Sequence, residues 1–238
     1  MSITHPPLRI TAADGGTFDA YVSMPDTDMP VGAVVVIQEI FGVNAVMRDI
    51  CDQLAQAGYI AVCPDLFWRQ KPGIQLTDKS EAEWAQAFDL YKGFDVGLGI
   101  IDLKATVAAV REIDGCTGKV GTLGYCLGGR LAFLMACRSD SDCNVSYYGV
   151  AIDENLSEAD NIMQPLLMHV AEKDKFVPPA AQQKIVERFR DSNLVQVNIY
   201  EGQDHAFARI GGEHYNAEAA RLANFRTADF LATYLGHE

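Results

Sequence analysis

An apolar run at 120–123 leads into Gly124-Tyr125-Cys126-Leu127-Gly128 and then, almost at once, into the helix-like stretch Leu131-Ala-Phe-Leu-Met-Ala136. A strand, a glycine-framed turn and a helix in such close succession make a sharp elbow. The residue at its apex holds a strained backbone, and the flanking chain passes too close for side chains. A thiol at that apex lies over the first turn of the helix. There the partial positive charge of the helix terminus favours a thiolate, and the amide of Leu127 can donate to the oxyanion formed when an acyl group is attacked. Cys126 is therefore read as a nucleophile. The alternative is a glycine-rich turn around an inert buried cysteine, and the pentapeptide alone does not separate the two.

The remainder of the chain bears on that choice. In an elbow architecture the acid and the base follow the nucleophile in chain order, on loops after later strands. Pro165-Leu-Leu-Met-His-Val-Ala171 reads as a buried strand and leads into Glu172-Lys-Asp174-Lys-Phe-Val-Pro178. Leu194-Val-Gln-Val-Asn-Ile-Tyr200 reads as another and leads into Glu201-Gly-Gln-Asp-His205. Both partners stand in the required order. Elsewhere, strands are expected at 8–11 and 18–24, an antiparallel pair joined through Asp14-Gly15-Gly16, and at 33–38, 59–63, 120–124, 145–148, 166–171 and 195–200. They alternate with helices expected near 45–57, 80–92, 95–113, 127–138, 178–191 and 216–235, the fifth opened by Pro178-Pro179. Such alternation predicts an α/β fold with a mostly parallel central sheet of about eight strands and helices on both faces. The longest apparent loop, 69–80, is a candidate cap over the site.

Composition narrows the class. At 238 residues and 49% apolar, the chain has enough material for one large core, and a single domain over 1–238 is expected. A net charge of −13, spread along the chain, argues against nucleic acid and anionic membranes as partners. The six cysteines, at 51, 63, 116, 126, 137 and 143, show no C-x-x-C pairing, and several lie in apolar runs as reduced core residues do. Met1-Ser-Ile-Thr-His-Pro-Pro7 has no basic segment followed by an apolar one, and no stretch has the length of a membrane span. A cytoplasmic protein is expected, and a monomer, since no sustained heptad suggests an interface.

Several segments together carry a family resemblance: Gln38-Glu-Ile-Phe-Gly-Val-Asn44, Cys63-Pro-Asp-Leu-Phe-Trp-Arg69, the elbow region 121–129, Tyr147-Tyr-Gly149, Asp174 with Phe176-Val-Pro178, and His205-Ala-Phe-Ala-Arg209. With these the chain resembles the dienelactone hydrolases, or carboxymethylenebutenolidases, from near residue 30 to the last helix. The resemblance implies an α/β-hydrolase fold and hydrolysis of an unsaturated lactone bearing a carboxylate, of the dienelactone-to-maleylacetate type. It implies Cys126, Asp174 and His205 as the triad. Cys126 would form a thioester, His205 would activate the water that cleaves it, and Asp174 would hold the imidazole tautomer. The amides of Leu127 and Ile40 would hold the oxyanion, and no metal or organic cofactor is required. The resemblance also suggests that Glu39 contacts the resting thiol until an anionic substrate displaces it, which would protect the thiol from oxidation. A carboxylate that merely caps the loop at Phe41-Gly42 is the alternative.

Other residues are assigned more loosely. Arg209, four residues after His205, can pair bidentately with a substrate carboxylate; a surface arginine paired with one of the chain's many acids is the alternative. Phe41 and Phe207 are assigned to a wall for a flat conjugated ring, and Tyr148, one of two tyrosines ending a strand at the catalytic edge, to a substrate contact, with packing the alternative for each. His169, inside an apolar strand, reads as a satisfied core histidine; Glu172 competes with Asp174 for the acid role, which Asp174 takes on the Asp-x-Phe-Val-Pro match, leaving Glu172 as a solvated loop charge. The chain departs from the family pattern in having no arginine between Lys71 and Lys104, where family members acting on dienelactone can carry a second one. A site with one guanidinium holds a carboxylate less tightly. A broader carboxylesterase or thioesterase using the same triad therefore stays open, as does a noncatalytic small-molecule binding protein.

Overall fold

Uniformly apolar runs become buried strands, and amphipathic runs become the helices between them. The computed structural model describes residues 3–4 and 6–236. Its strands are β1 (Ile3–Thr4), β2 (Leu8–Thr11), β3 (Thr17–Met24), β4 (Val31–Ile37), β5 (Ile60–Pro64), β6 (Cys116–Tyr125), β7 (Asn144–Tyr147), β8 (Leu166–Ala171) and β9 (Val195–Tyr200). Its helices are α1 (Ala45–Gln56), α2 (Glu81–Lys92), α3 (Val96–Arg111), α4 (Leu127–Arg138), α5 (Pro179–Phe189) and α6 (Ala217–Leu235), with a 3-10 segment at Asp153–Asn161. The chain divides into two compact units, one running to Gly121 and the other spanning Thr122–Gly236. The division falls inside β6. Among the described residues no helix is long and apolar enough to cross a membrane.

In the first unit the strand order is β1-β3-β5-β4-β6, with β2 also on β3. The β2–β3 pair is antiparallel, with Leu8 opposite Ala20 and Thr11 opposite Thr17, as the Asp14-Gly15-Gly16 turn predicts. Asp14 Oδ1 accepts from the Gly16 amide at 3.1 Å to close that turn. All seven residues of β4 and all five of β5 are buried, the pattern of parallel strands covered on both faces. The helices start at side-chain caps: Asn44 accepts from Met47 N, Ser80 from Glu83 N and Asp95 from Leu98 N. The 69–80 segment is pinned to the turn after β4. Leu76 N donates to Phe41 O at 2.9 Å, Asn44 Nδ2 to Leu76 O at 2.9 Å, and Arg48 bridges Val43 O and Gln75 Oε1 at 2.7 Å each.

In the second unit β6, β7, β8 and β9 lie side by side and all parallel. β7 and β8 are wholly buried, whereas β9, at the edge, is buried only at its ends. Pro178 caps α5 and Pro179 is its first residue, where a missing amide hydrogen is harmless. A polar chain crosses this apolar interior. Arg226 donates to the Tyr200 hydroxyl at 3.1 Å; that hydroxyl meets His169 Nδ1 at 2.8 Å, and His169 Nε2 meets Thr227 Oγ1 at 3.0 Å. Thr227 in turn meets the Tyr147 hydroxyl at 2.7 Å, which reaches Asn224 Oδ1 at 2.9 Å. Because a guanidinium only donates, the Tyr200 proton is directed to Nδ1 and the imidazole proton to Thr227. His169 is thus a satisfied core histidine, and burial, aided by the charge of Arg226, lowers its pKa to about 3.

Candidate active site

The elbow is built as its glycines require. Cys126 sits at φ 56°, ψ −113°, a positive-φ conformation that non-glycine residues rarely adopt. A Cβ on Gly124 would overlap the carbonyl of Gly128, and one on Gly129 would lie 2.6 Å from Tyr147 O and 2.8 Å from Gly149 Cα. The small-residue frame therefore extends to Gly129 and Gly149. Cys126 N donates to Tyr147 O at 3.0 Å, holding the apex to the end of β7, and the Cys126 carbonyl accepts from Arg130 N at 3.1 Å as the first turn of α4. Cys126 is the N-cap residue of α4, with no side-chain capping bond among the described residues, and the helix begins at the fully buried Leu127.

Cys126, Asp174 and His205 follow the carboxyl ends of three parallel strands, β6, β8 and β9, the edge at which ligands bind in α/β sheets. His205 Nδ1 meets Asp174 Oδ2 at 2.7 Å, and His205 is also hydrogen-bonded to the Cys126 thiol. The second carboxylate oxygen of Asp174 accepts from Phe176 N at 2.8 Å, so both oxygens of this buried acid are engaged. Rings of Tyr148 and Phe176 stand edge-on to the imidazole at 5.1 and 4.8 Å. Burial acts to lower the pKa of His205. Interaction with Cys126, the hydrogen bonds to Asp174 and Cys126 and the charge of Asp174 overcome it, raising the value to about 10. A nucleophile, a base and an orienting acid in one hydrogen-bonded series can carry out acyl transfer.

The sequence profile of the dienelactone hydrolase family matches residues 18–235. The chain belongs to the dienelactone hydrolase family. A carboxymethylenebutenolidase of Pseudomonas putida is 44% identical over 225 residues, covering 94% of this chain and 95% of its own. An Azospirillum brasilense protein that bears the same name provisionally is 51% identical over 230 residues, covering 96% of this chain and 99% of its own. A Klebsiella pneumoniae structure, provisionally described as a dienelactone hydrolase, superposes with a TM-score of 0.86 at 27% identity over 98% of this chain and all of its own. The protein is accordingly a hydrolase with the α/β-hydrolase fold of the dienelactone hydrolases.

The other residues singled out by sequence divide between the units. Glu39, Ile40 and Phe41 are all buried in the turn after β4 of the first unit, where Phe41 packs edge-on against Trp84 at 4.9 Å. In the second unit Tyr148 stands between His205 and Phe207, its ring 5.7 Å from the latter, and Phe207 in turn meets the Tyr200 ring, tilted, at 4.7 Å. Arg209 is only 8% exposed and so is not a surface arginine. Glu172 is exposed yet not merely solvated: its carboxylate accepts from Gly202 N at 2.7 Å, and Glu172 N donates to Tyr200 O at 3.1 Å. With Lys173 N donating to Gln203 O at 2.8 Å, these contacts tie the loop bearing the acid to the loop bearing the base. One residue that the sequence reading passed over also stands here: Gln182 of α5, buried against the acid loop. A lone glutamine in an amphipathic helix carries no pattern that would mark it.

Proposed function

We propose that this hydrolase opens an unsaturated, carboxylate-bearing lactone, of the dienelactone-to-maleylacetate type, through a thioester on Cys126. What supports the reading is the hydrogen-bonded series Cys126–His205–Asp174 in a chain 44% identical to a carboxymethylenebutenolidase. The thiolate adds to the lactone carbonyl, and the amides of Leu127 and Ile40 donate to the resulting oxyanion. On collapse the ring C–O bond breaks, and the departing enolate oxygen takes a proton from the His205 imidazolium. The imidazole, now neutral, removes a proton from water as that water attacks the thioester. The C–S bond then breaks and restores the thiolate. Asp174 keeps Nδ1 protonated and stabilises the imidazolium throughout.

In this reading Arg209 holds the substrate carboxylate, and Phe41, Tyr148 and Phe207 border its conjugated ring. Glu39 keeps the thiol protonated until an anionic substrate displaces it, a role carried by the family resemblance; unchanged turnover and pH profile in Glu39→Gln would remove it. A second reading, a general esterase on the same triad, is favoured by the lack of arginine between Lys71 and Lys104. Steady-state hydrolysis of cis- and trans-dienelactone, compared with p-nitrophenyl esters, separates the two. Turnover of either lactone that is lost in Cys126→Ser and weakened chiefly through KM in Arg209→Ala supports the lactone reading. Cleavage of the neutral esters alone, still through Cys126, supports the esterase.

A further inference from the structure

The loop that carries Asp174 is closed by one side chain. Gln182, 7% exposed, points Nε2 at three carbonyl oxygens: Ala171 at 3.1 Å, Glu172 at 3.0 Å and Val177 at 2.7 Å. All three only accept, so the amide nitrogen and not its oxygen must face them. Two of these carbonyls stand at the start of the loop and one at its end, with Asp174 between. A single NH2 group thus sets the loop's span. Within it Val177 N donates to Asp174 O at 3.2 Å and Phe176 N to Asp174 Oδ1 at 2.8 Å, leaving the carboxylate little freedom once the ends are held. The start of the same loop is bonded through Glu172 and Lys173 to the segment 200–203, two residues short of His205.

We infer that Gln182 is a positioning residue for the Asp174–His205 pair, acting through the loop it clamps; the inference rests on the triad reading above. Its side chain touches no reacting atom. It fixes where the carboxylate stands, and hence how well Nδ1 of His205 is held. Three carbonyls, two of them in buried bonds and one part-buried, that lose a common donor reorient toward whatever donors they can reach, and the acid between them moves with them.

The test uses Gln182→Met, which keeps the length and removes the donors, alongside Gln183→Met at the exposed neighbour, whose amide donates to Glu187 Oε1. With dienelactone, or a p-nitrophenyl ester if that is the better substrate, Gln182→Met should lower kcat roughly ten- to a hundred-fold, with KM little changed. The downfield proton resonance of His205 Nδ1–H should broaden or vanish, and the His205 titration midpoint should move down. Gln183→Met should change none of these. A folded Gln182→Met with parental kcat, resonance and midpoint overturns the inference, whatever its melting temperature. If that variant does not fold, Gln182→Glu carries the test. Its protonated carboxyl offers one donor and its ionised form none, so its kcat relative to the parent should fall as pH rises, and a constant ratio overturns the inference. Full turnover by Cys126→Ala, with the resonance still lost in Gln182→Met, would instead refute the triad and leave the clamp standing.

Discussion

Two histidines of the second unit, His169 and His205, are both buried and both hydrogen-bonded through their rings, yet they bind protons with opposite tendencies. His169 is lowered to about 3 and His205 is raised to about 10. Burial pushes both downward, so burial does not distinguish them. Their partners do: His169 meets two hydroxyls, Tyr200 and Thr227, and lies near the positive Arg226, whereas His205 meets a carboxylate and a thiol. Neutral partners inside a protein satisfy a ring without changing its preference for the uncharged form. Charged partners turn the same ring into an acid–base group. One histidine belongs to the core and the other is the base of the proposed mechanism, although both stand on or just beyond strands of one parallel array.

The largest way to break the contrast is Asp174→Asn, which removes the charge and keeps the shape. It should lower kcat on the order of a thousand-fold or more, by allowing the wrong tautomer of His205. In the same variant the His205 midpoint, followed by NMR, should fall toward the ordinary histidine value.

The converse experiment is His169→Gln. Folded His169 stays neutral far below 6.5, while the unfolded chain takes up a proton there, so the parent loses stability as pH drops from about 6.5 toward 3. This group contributes about 1.4 kcal/mol per pH unit over that window. Urea denaturation at several pH values should show that slope reduced in His169→Gln by one proton's worth. At neutral pH the variant should be about 1–3 kcal/mol less stable, from Tyr200 and Thr227 left imperfectly paired, with turnover little changed. The smallest effect is expected from Tyr200→Phe, which removes the hydroxyl between Arg226 and His169. It should cost about 1–2 kcal/mol of unfolding free energy in urea denaturation and raise no new titration at His205.

The sequence made the framework legible because parallel strands advertise themselves. Residues 33–38, 59–63, 166–171 and 195–200 stand out as apolar or β-branched runs, and the corresponding strands differ from the expected bounds by no more than two residues. The elbow was equally visible, since its glycines answer to local crowding. β1 has two residues and no pattern to read, which brings the described strands to nine where about eight were expected. The start of β6 at Cys116 was missed because Cys116-Thr-Gly-Lys119 is polar and half-exposed. The 3-10 segment Asp153–Asn161 is acidic and lacks helical spacing. Contacts such as Tyr147 with Thr227, 80 residues apart, leave no local trace. Gln182 escaped for the same reason: its role depends on three carbonyls, and carbonyls have no sequence. The acid was distinguished from its neighbour Glu172 only by the Asp-x-Phe-Val-Pro resemblance, and the structure shows why both are there. Asp174 faces His205 while Glu172 laces the two loops together.

The most direct test of the account is to look for the acyl group itself. His205→Ala, mixed with dienelactone, quenched in acid and analysed by intact mass and peptide mapping, should slow the water-dependent step and let the intermediate accumulate. The predicted product is an adduct with the mass of the whole lactone, because ring opening expels nothing, located on the peptide containing Cys126 and absent from the double variant with Cys126→Ala. An adduct on any other side chain, or undiminished turnover by Cys126→Ala alone, would contradict it.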